Sequence, residues 1–258
     1  MGYTLKRILS RMELSDLVTP LKRQTLSANV YDQLRDLVMS GQMMPGEQIS
    51  LRSAAAALGV SVMPVREAMQ RLVAEQALEL TPSRTLRVPR MTAAQFKEIT
   101  VIRTNLEGLA TEAAAAAVGT VALREIAECH DAFVAEMKAA SPDGSRLVTF
   151  NKEFHFAVYA AADMPMLLQM IEALWLRIGP ILNYDLRAGS RRVGEKVAVA
   201  HHAALLAALK RRDGAKARAA LEGDIRSAAE FILSAGVLVA EGASRPPSPG
   251  GRDQSVGS

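Results

Sequence analysis

Apolar residues in the first third of the chain recur at helical spacing and then give way to two short alternating runs. The pattern predicts a helix from Ser27 to Gly41, a short helix from Leu51 to Leu58, and a third helix capped by Ser61. Two strands of a hairpin are predicted next, at 77–80 and 86–88. Helix, helix, tight turn, helix and hairpin make a winged helix-turn-helix, which we place at residues 25–90.

The start of the third helix carries its own signals. Pro64 lies in the predicted first turn, and Glu67 lies near the position of a capping-box acid, which predicts a side-chain cap from Ser61.

After a linker at 89–91, the hydrophobic pattern is helical almost throughout. The predicted helices cover 92–118, 120–139, 146–162, 165–187, 191–211 and 213–240. Connections this short predict an antiparallel all-α bundle over residues 92–240, so the fold class is mainly α. Residues 1–24 are predicted to form a flexible arm. Residues 241–258, rich in proline, glycine and serine, are predicted to be a disordered tail.

Composition narrows the setting in which this chain works. Hydrophobic residues make up 49% of the 258 positions and aromatic residues only 4%, which favours helices packed through small side chains. Cys129 is the single cysteine, so a disulfide within the chain is excluded and a reducing, cytoplasmic location is predicted. The pattern predicts neither a signal peptide nor a membrane-spanning segment.

The net positive charge lies at one end of the chain. Residues 1–91 hold 12 Lys and Arg against 8 Asp and Glu, whereas residues 92–258 hold 19 of each. This asymmetry favours contact between the N-terminal part and phosphate groups.

Residues 58–72 read LGVSVMPVREAMQRL. This stretch resembles the recognition helix of the GntR family of bacterial regulators, and the turn at 44–46 and the predicted wing fall where that family has them. The resemblance implies that Arg52, Ser61 and Arg66 contact double-stranded DNA. Arg84, at the wing tip, would enter or flank the minor groove. The alternatives are an ion pair of Arg66 with a neighbouring acid such as Glu67 and a purely solvated Arg84.

Two positions depart from that family's pattern. Val62 stands where the family often has arginine, and Thr85 stands where it often has glycine. Both departures bear on which operator is read and on the geometry of the wing.

Three stretches of the bundle resemble the FCD domain of the FadR-like branch of this family: 103–110, 151–155 and 202–205. Many FCD domains hold a divalent metal ion through an Asp or Asn and three histidines. The resemblance therefore implies a Zn, Ni, Mn or Fe site at Asn151, His155 and His202, with Asp224 where the family has its last histidine. Asn151 and His155 are four residues apart and share a helix face. The alternative is that Asp224 pairs with an arginine such as Arg103 or Arg177 and that no metal binds.

Arginines within apolar stretches are candidates for binding an effector. Arg103 and Arg177 are flanked by apolar residues, and a buried guanidinium requires an anionic partner. We therefore predict a small carboxylate effector held by one or both of them, with Asn183 lining the same pocket. The competing interpretation is that these arginines form a structural ion pair with Glu107 or another acid.

These features together predict a transcriptional regulator, a repressor, rather than an enzyme. The resemblance implies a homodimer on a pseudo-palindromic operator, since two recognition helices must reach successive major grooves. One alternative is a metal-dependent hydrolase or oxygenase built on His155, His202 and Asp224, for which no separate general base is evident. Another is a DNA-binding structural protein that senses nothing, whose binding would be sequence-independent and strongly salt-dependent.

Overall fold

The computed structural model describes residues 26–81, 85–182, 184–187 and 196–240. The predicted arm at 1–24 and the predicted tail at 241–258 lie outside them. The helices are α1 Leu26–Met39, α2 Leu51–Leu58, α3 Val62–Ala74, α4 Ala93–Ala117, α5 Thr120–Met137, α6 Gly144–Ala160, α7 Pro165–Leu182, α8 Tyr184–Arg187, α9 Val197–Lys210 and α10 Gly214–Ser234; the strands are β1 Gln48–Ile49, β2 Glu79–Leu80 and β3 Leu86–Arg87. The predicted mainly helical fold class is confirmed.

The first three helices form the expected helix-turn-helix. α2 ends at Gly59, whose φ of 65° is left-handed and allows the chain to turn sharply before α3 begins. α1 packs against α3 and buries Leu34 and Val38 against Val65 and Leu72, all nearly inaccessible to solvent. This small core fixes the angle at which α3 is presented.

The wing contains a strand that the sequence pattern did not predict. β1 pairs with β3, and β3 also pairs with β2, so the sheet order is β1-β3-β2 with antiparallel neighbours. A two-residue strand such as Gln48–Ile49 is too short to show alternation. Its pairing is extended by a hydrogen bond from the Val88 amide to the Glu47 carbonyl, 2.9 Å long.

Thr85 is accommodated in the hairpin where the family often has glycine. It is not among the described residues with positive φ, so a β-branched side chain fits its backbone. Its hydroxyl lies 2.7 Å from that of Thr81 and also donates to Gln48 of β1 at 3.3 Å.

In the bundle, α10 packs along both α4 and α9, α5 packs on α6, and α7 contacts α4. Large side chains that are almost wholly buried fill the space between them: Phe96, Ile126, Phe133, Phe154, Ile171, Trp175 and Leu221. The predicted helices at 92–118 and 120–139 match α4 and α5 within two residues. The predicted helix at 165–187 agrees with α7 and α8 over the described residues, whereas the one predicted at 213–240 ends at Ser234.

The chain after α10 returns to the linker instead of continuing as a helix. Gly236, with a φ of 70°, follows α10, and Val239 then forms a parallel bridge with Thr92. The Val239 amide donates to the Met91 carbonyl at 3.0 Å. These contacts therefore join the two ends of the bundle, next to the winged helix-turn-helix.

α7 is strongly apolar, although the sequence analysis predicted no membrane-spanning segment. It is the one helix in the described ranges that is long and apolar enough to cross a membrane by length and composition, with a mean hydropathy of 1.2. Its residues Ile171, Trp175 and Ile178 are buried in the bundle core. These features are typical of the core helix of a folded domain.

The winged helix-turn-helix, formed by α1–α3 and β1–β3 and called the winged head below, contacts the bundle along α1 and α7. Arg35 donates to Glu172 at 2.9 Å, and Lys152 of α6 contacts Asp36 at 3.0 Å. A Cβ atom at Gly179 would lie 2.5 Å from the Met39 carbonyl oxygen, so the two helix backbones touch there. The bundle and the winged head are therefore in direct, closely packed contact.

Candidate nucleic-acid interface and metal centre

The N-terminal end of α3 presents exposed polar groups to solvent. Ser61 is the N-cap residue, but its side chain makes no capping hydrogen bond. The predicted capping box is therefore wrong. Pro64 occupies the third helical position and has no N–H for Ser61 to bind, and Glu67 lies a turn too far along. The Ser61 hydroxyl and the first amides of α3 are left available to an anion such as phosphate.

Arg52 and Arg66 are both exposed. Within the described ranges neither is joined to an acid in an ion pair, so the alternative pairing of Arg66 with Glu67 is not observed. Arg71, in contrast, already has partners within the chain. Its guanidinium lies 3.6 Å from the centre of the Tyr31 ring, and its Nε donates to Glu75 at 3.1 Å. Arg84 lies outside the described residues.

Three potential metal ligands converge inside the bundle. His155 comes from α6, His202 from α9 and Asp224 from α10, all buried, with one ligand atom of each within 4.8 Å of the others. The His155 Nε2 atom is 3.3 Å from Asp224 Oδ2, and His202 Nε2 is 3.7 Å from the same oxygen. Asn151, one turn before His155, is also buried and lines the same space.

The spacing and chemistry of this set fit a divalent metal ion. Two ligands bound at 2.0–2.1 Å at a tetrahedral angle lie about 3.3 Å apart, close to the separations of His155 and His202 from Asp224. Two imidazoles and a carboxylate, with an amide oxygen nearby, are a donor set that suits Zn, Ni, Mn or Fe.

The hydrogen bonding of His202 is a further indication that these residues bind a ligand. Its side chain is fully buried, and neither ring nitrogen has a hydrogen-bond partner among the described residues, since the 3.7 Å separation from Asp224 is too long for one. Burial lowers the pKa of His202 to about 4, against the opposing effect of Asp224. A neutral imidazole with an unused lone pair is the form that binds a metal ion.

Asp224 is held as an anion. Burial raises its pKa, but the contacts with His155 and His202 outweigh this effect and leave the pKa well below its ordinary value. In the described part of the chain neither Arg103 nor Arg177 pairs with it.

Arg103 and Glu107 form the buried ion pair that was the competing interpretation of Arg103. The Nε atom of Arg103 donates to Glu107 Oε1 at 2.6 Å. Tyr159 and Trp175 also donate to this carboxylate, at 2.5 and 3.0 Å. The sequence analysis did not assign Tyr159 to the site. Its position one turn after His155, on the same helix face, was the available signal.

A small cavity joins these groups. It is about 30 Å³ in volume and is lined by both polar and apolar residues: Arg103, Asn151, His155, Trp175, Leu182, Leu186, Ala198, Asp224, Ile225 and Ala228. This volume holds about two water molecules, so an organic acid would have to displace part of the wall. Arg177 does not reach the cavity because it is exposed on the other side of α7. Asn183 lies outside the described residues.

A winged helix-turn-helix joined to an all-helical domain is the architecture of a DNA-binding regulator. Residues 26–88 match the family described as bacterial regulatory proteins, gntR family, and residues 98–227 match the FCD domain. The chain belongs to the GntR family of transcriptional regulators, in its FCD-domain branch. The resemblance found in the sequence is thereby confirmed, as is the prediction that the chain is not an enzyme.

Known relatives support this assignment. The chain is 34% identical over 196 residues to the HTH-type transcriptional regulator McbR of Escherichia coli, covering 75% of this chain and 86% of the relative. It is 31% identical over 164 residues to a probable D-xylose utilization operon transcriptional repressor of Paenarthrobacter nicotinovorans, covering 63% and 70%.

Two solved structures share the fold. The structure of E. coli McbR/YncC aligns with a TM-score of 0.75 at 29% identity, covering 82% of this chain and 98% of that one. A putative GntR regulator from Rhodococcus sp. RHA1 aligns with a TM-score of 0.67 at 23% identity, covering 81% and 98%. The second likeness concerns the fold alone.

Proposed function

We propose that this regulator is a cytoplasmic repressor that binds a pseudo-palindromic operator as a homodimer and responds to a small carboxylate held beside a divalent metal ion. The observation that carries the proposal is the convergence of His155, His202 and Asp224 on one buried point next to the Arg103 guanidinium. Two relatives have names that contain the word repressor, which supports the sign of the response.

On the DNA side, the proposal assigns α3 to the major groove. Arg66 lies one turn into α3, where it would reach a base edge or phosphate, and Ser61 would bind a phosphate at the positive end of the helix. Arg52 on α2 would contact the backbone beside the groove. Because these side chains are exposed and the arginines are free of internal ion pairs among the described residues, they need break no contact to bind DNA.

On the effector side, the metal ion would supply a positive charge and open coordination positions for a carboxylate. Asn151, His155, His202 and Asp224 would hold the ion. Arg103 uses its Nε and one terminal nitrogen on Glu107, which leaves N–H groups for an anion in the cavity it lines. Opening the cavity would move the end of α7, the helix that also contacts α1 of the head.

The homodimer has a candidate surface on the exposed face of α4 and α7, two helices that pack against each other. Large apolar side chains that are 40–77% exposed lie on them: Val101, Ile102, Leu109, Met166 and Met170. A second copy of the chain covering this face would remove these side chains from water.

The first experiment measures metal content by mass spectrometry on untagged protein, beside the His155→Ala variant. Near-stoichiometric metal in the wild type and little in the variant is expected. Both proteins are then titrated with a duplex selected from a random DNA library by the wild type, with and without a panel of small carboxylic acids. A metal-free wild type after refilling with Zn²⁺, Ni²⁺, Mn²⁺ and Fe²⁺ would overturn the metal part. Operator affinity that no carboxylate changes would overturn the effector part.

A further inference from the structure

The buried carboxylate of Glu107 is fully occupied by donors. Oε1 accepts from Arg103 Nε at 2.6 Å and from Trp175 Nε1 at 3.0 Å. Oε2 accepts from Arg103 at 3.2 Å and from the Tyr159 hydroxyl at 2.5 Å. A carboxylate offers about four acceptor sites, so Glu107 has none left for a metal ion or an effector.

Tyr159 therefore has its only proton committed. A hydroxyl carries one proton, and the shorter contact with the charged acceptor takes it. What remains for a second neighbour is the lone pair of the Tyr159 oxygen.

That second neighbour is the His155 ring. Its Nδ1 atom lies 3.3 Å from the Tyr159 oxygen. Because this oxygen accepts and does not donate, the favourable arrangement has a proton on Nδ1. In the neutral ring, Nε2 then bears a lone pair, which faces Asp224 Oδ2 at 3.3 Å. A metal ion between Nε2 and Oδ2 would bind both atoms.

We propose that Tyr159, fixed by Glu107, is a positioning residue that holds His155 in the tautomer protonated at Nδ1 and so presents Nε2 as a metal ligand. The inference rests on the metal site of the proposed function and adds the mechanism that prepares it. Ring orientation and tautomer of a ligating histidine are commonly set in this way by a partner of its second nitrogen, and losing that partner weakens metal binding by about 10–100-fold.

The test compares Zn²⁺ affinity in the full-length wild type, Tyr159→Phe and Tyr31→Phe, measured by competition with a chromophoric chelator. Tyr31 is a matched control because its buried hydroxyl also donates to a glutamate, Glu75, at 2.7 Å, but in the winged head. Tyr159→Phe is expected to bind Zn²⁺ at least about tenfold more weakly than the wild type. Tyr31→Phe is expected to stay within about twofold of it.

A spectroscopic readout separates positioning from packing. Long-range proton–nitrogen NMR correlations on ¹⁵N-histidine-labelled protein with Zn²⁺ report which nitrogen of each ring is protonated, and the His155→Ala spectrum assigns the signal. For the wild type we expect a proton on Nδ1 of His155 and zinc on Nε2. A proton on Nε2, or equal Zn²⁺ affinity in the wild type and Tyr159→Phe, would overturn this inference and leave the metal site standing. No Zn²⁺ binding by the wild type would overturn both.

Discussion

At the scale of single residues, the burial of His202 lowers the stability of the metal-free protein. Its ring is stacked on Phe154 with centroids 4.2 Å apart and lies 4.9 Å from Phe133, and its two nitrogens have no hydrogen-bond partner within the described part of the chain. A buried polar group without a partner costs about 1–3 kcal/mol. A phenylalanine would suit this environment better in the absence of a metal ion.

We expect His202→Phe to be more stable than the wild type when both are metal-free, by about 1 kcal/mol in the free energy of unfolding. The order should reverse when Zn²⁺ is added, because a ligand at 100 times its Kd stabilises the folded wild type by about 2.7 kcal/mol and the variant loses this gain. Urea denaturation of both proteins in chelator and in Zn²⁺ checks this. Zn²⁺ stabilising the two proteins equally would contradict a role of His202 as a ligand.

Arg66 carries the sharpest prediction for DNA recognition. Arg66→Ala should weaken binding to a selected operator by roughly 1–3 kcal/mol, because an exposed arginine one turn into α3 is lost from the groove. The control is Arg124→Ala, which removes an equally exposed arginine from α5. Fluorescence anisotropy titrations on selected and scrambled duplexes compare the two variants. An unchanged affinity of Arg66→Ala for the selected duplex would exclude Arg66 from the interface.

The sequence analysis predicted some residues of the buried site and missed others, for physical reasons. His155, His202 and Asp224 were predicted from motif resemblance, and the structure brings their ligand atoms within 4.8 Å of one another. Asn151, predicted in the same way, lines a cavity with His155 and Asp224. Arg177 was predicted from its apolar neighbours, but helix geometry turns it away from Trp175 toward solvent. Tyr159 was missed because its role depends on Glu107, which lies 52 positions away in the chain.

At the scale of elements, the prediction agrees with the structure where side-chain periodicity determines the secondary structure. It differs where backbone contacts with distant parts of the chain determine it. β1 is a strand because β3 pairs with it, and its two residues carry no pattern of their own. α3 starts at the predicted place, but Pro64 prevents the predicted side-chain cap. The return of Val239 to Met91 is a backbone contact that no local pattern in the sequence signals.

The α1–α7 contact is the element pair through which the bundle touches the head, and Gly179 lies at its closest point. Gly179→Ala should lower the free energy of unfolding by about 1–3 kcal/mol, because its Cβ would lie 2.5 Å from a backbone oxygen that cannot easily move. The better helix propensity of alanine, worth up to about 1 kcal/mol, is too small to offset this. Operator affinity should change as well, since α1 carries the core of the head.

Gly108→Ala is the matched control for that substitution. Gly108 is also buried in a helix, but its nearest neighbour would be the flexible Arg218 side chain at 3.3 Å. We expect this variant to be as stable as the wild type or slightly more stable, with unchanged operator affinity. Urea denaturation and DNA titration of both variants check the pair. Equal effects at the two positions would mean that the α1–α7 contact has no special role.

At the scale of the whole molecule, we expect the exposed apolar side chains of α4 and α7 to determine the oligomeric state. Met166 and Met170 are 77% and 53% exposed, one helical turn apart on α7. Side chains of this size are rarely left together in water without a partner. In a symmetric dimer each such residue would be covered twice, once on each copy, so a single substitution changes both halves of the interface.

Met170→Glu is therefore expected to shift the protein from dimer to monomer, because burying two uncompensated carboxylates is unfavourable. Val121→Glu is the control, as Val121 is similarly exposed, at 59%, but lies on α5. Sedimentation velocity over a range of protein concentrations gives the oligomeric state of each. If Met170→Glu becomes monomeric, its affinity for a full operator should fall towards its affinity for a half-site, since only a dimer reaches two successive major grooves. A Met170→Glu variant that remained dimeric would place the interface elsewhere and leave this face to a different partner.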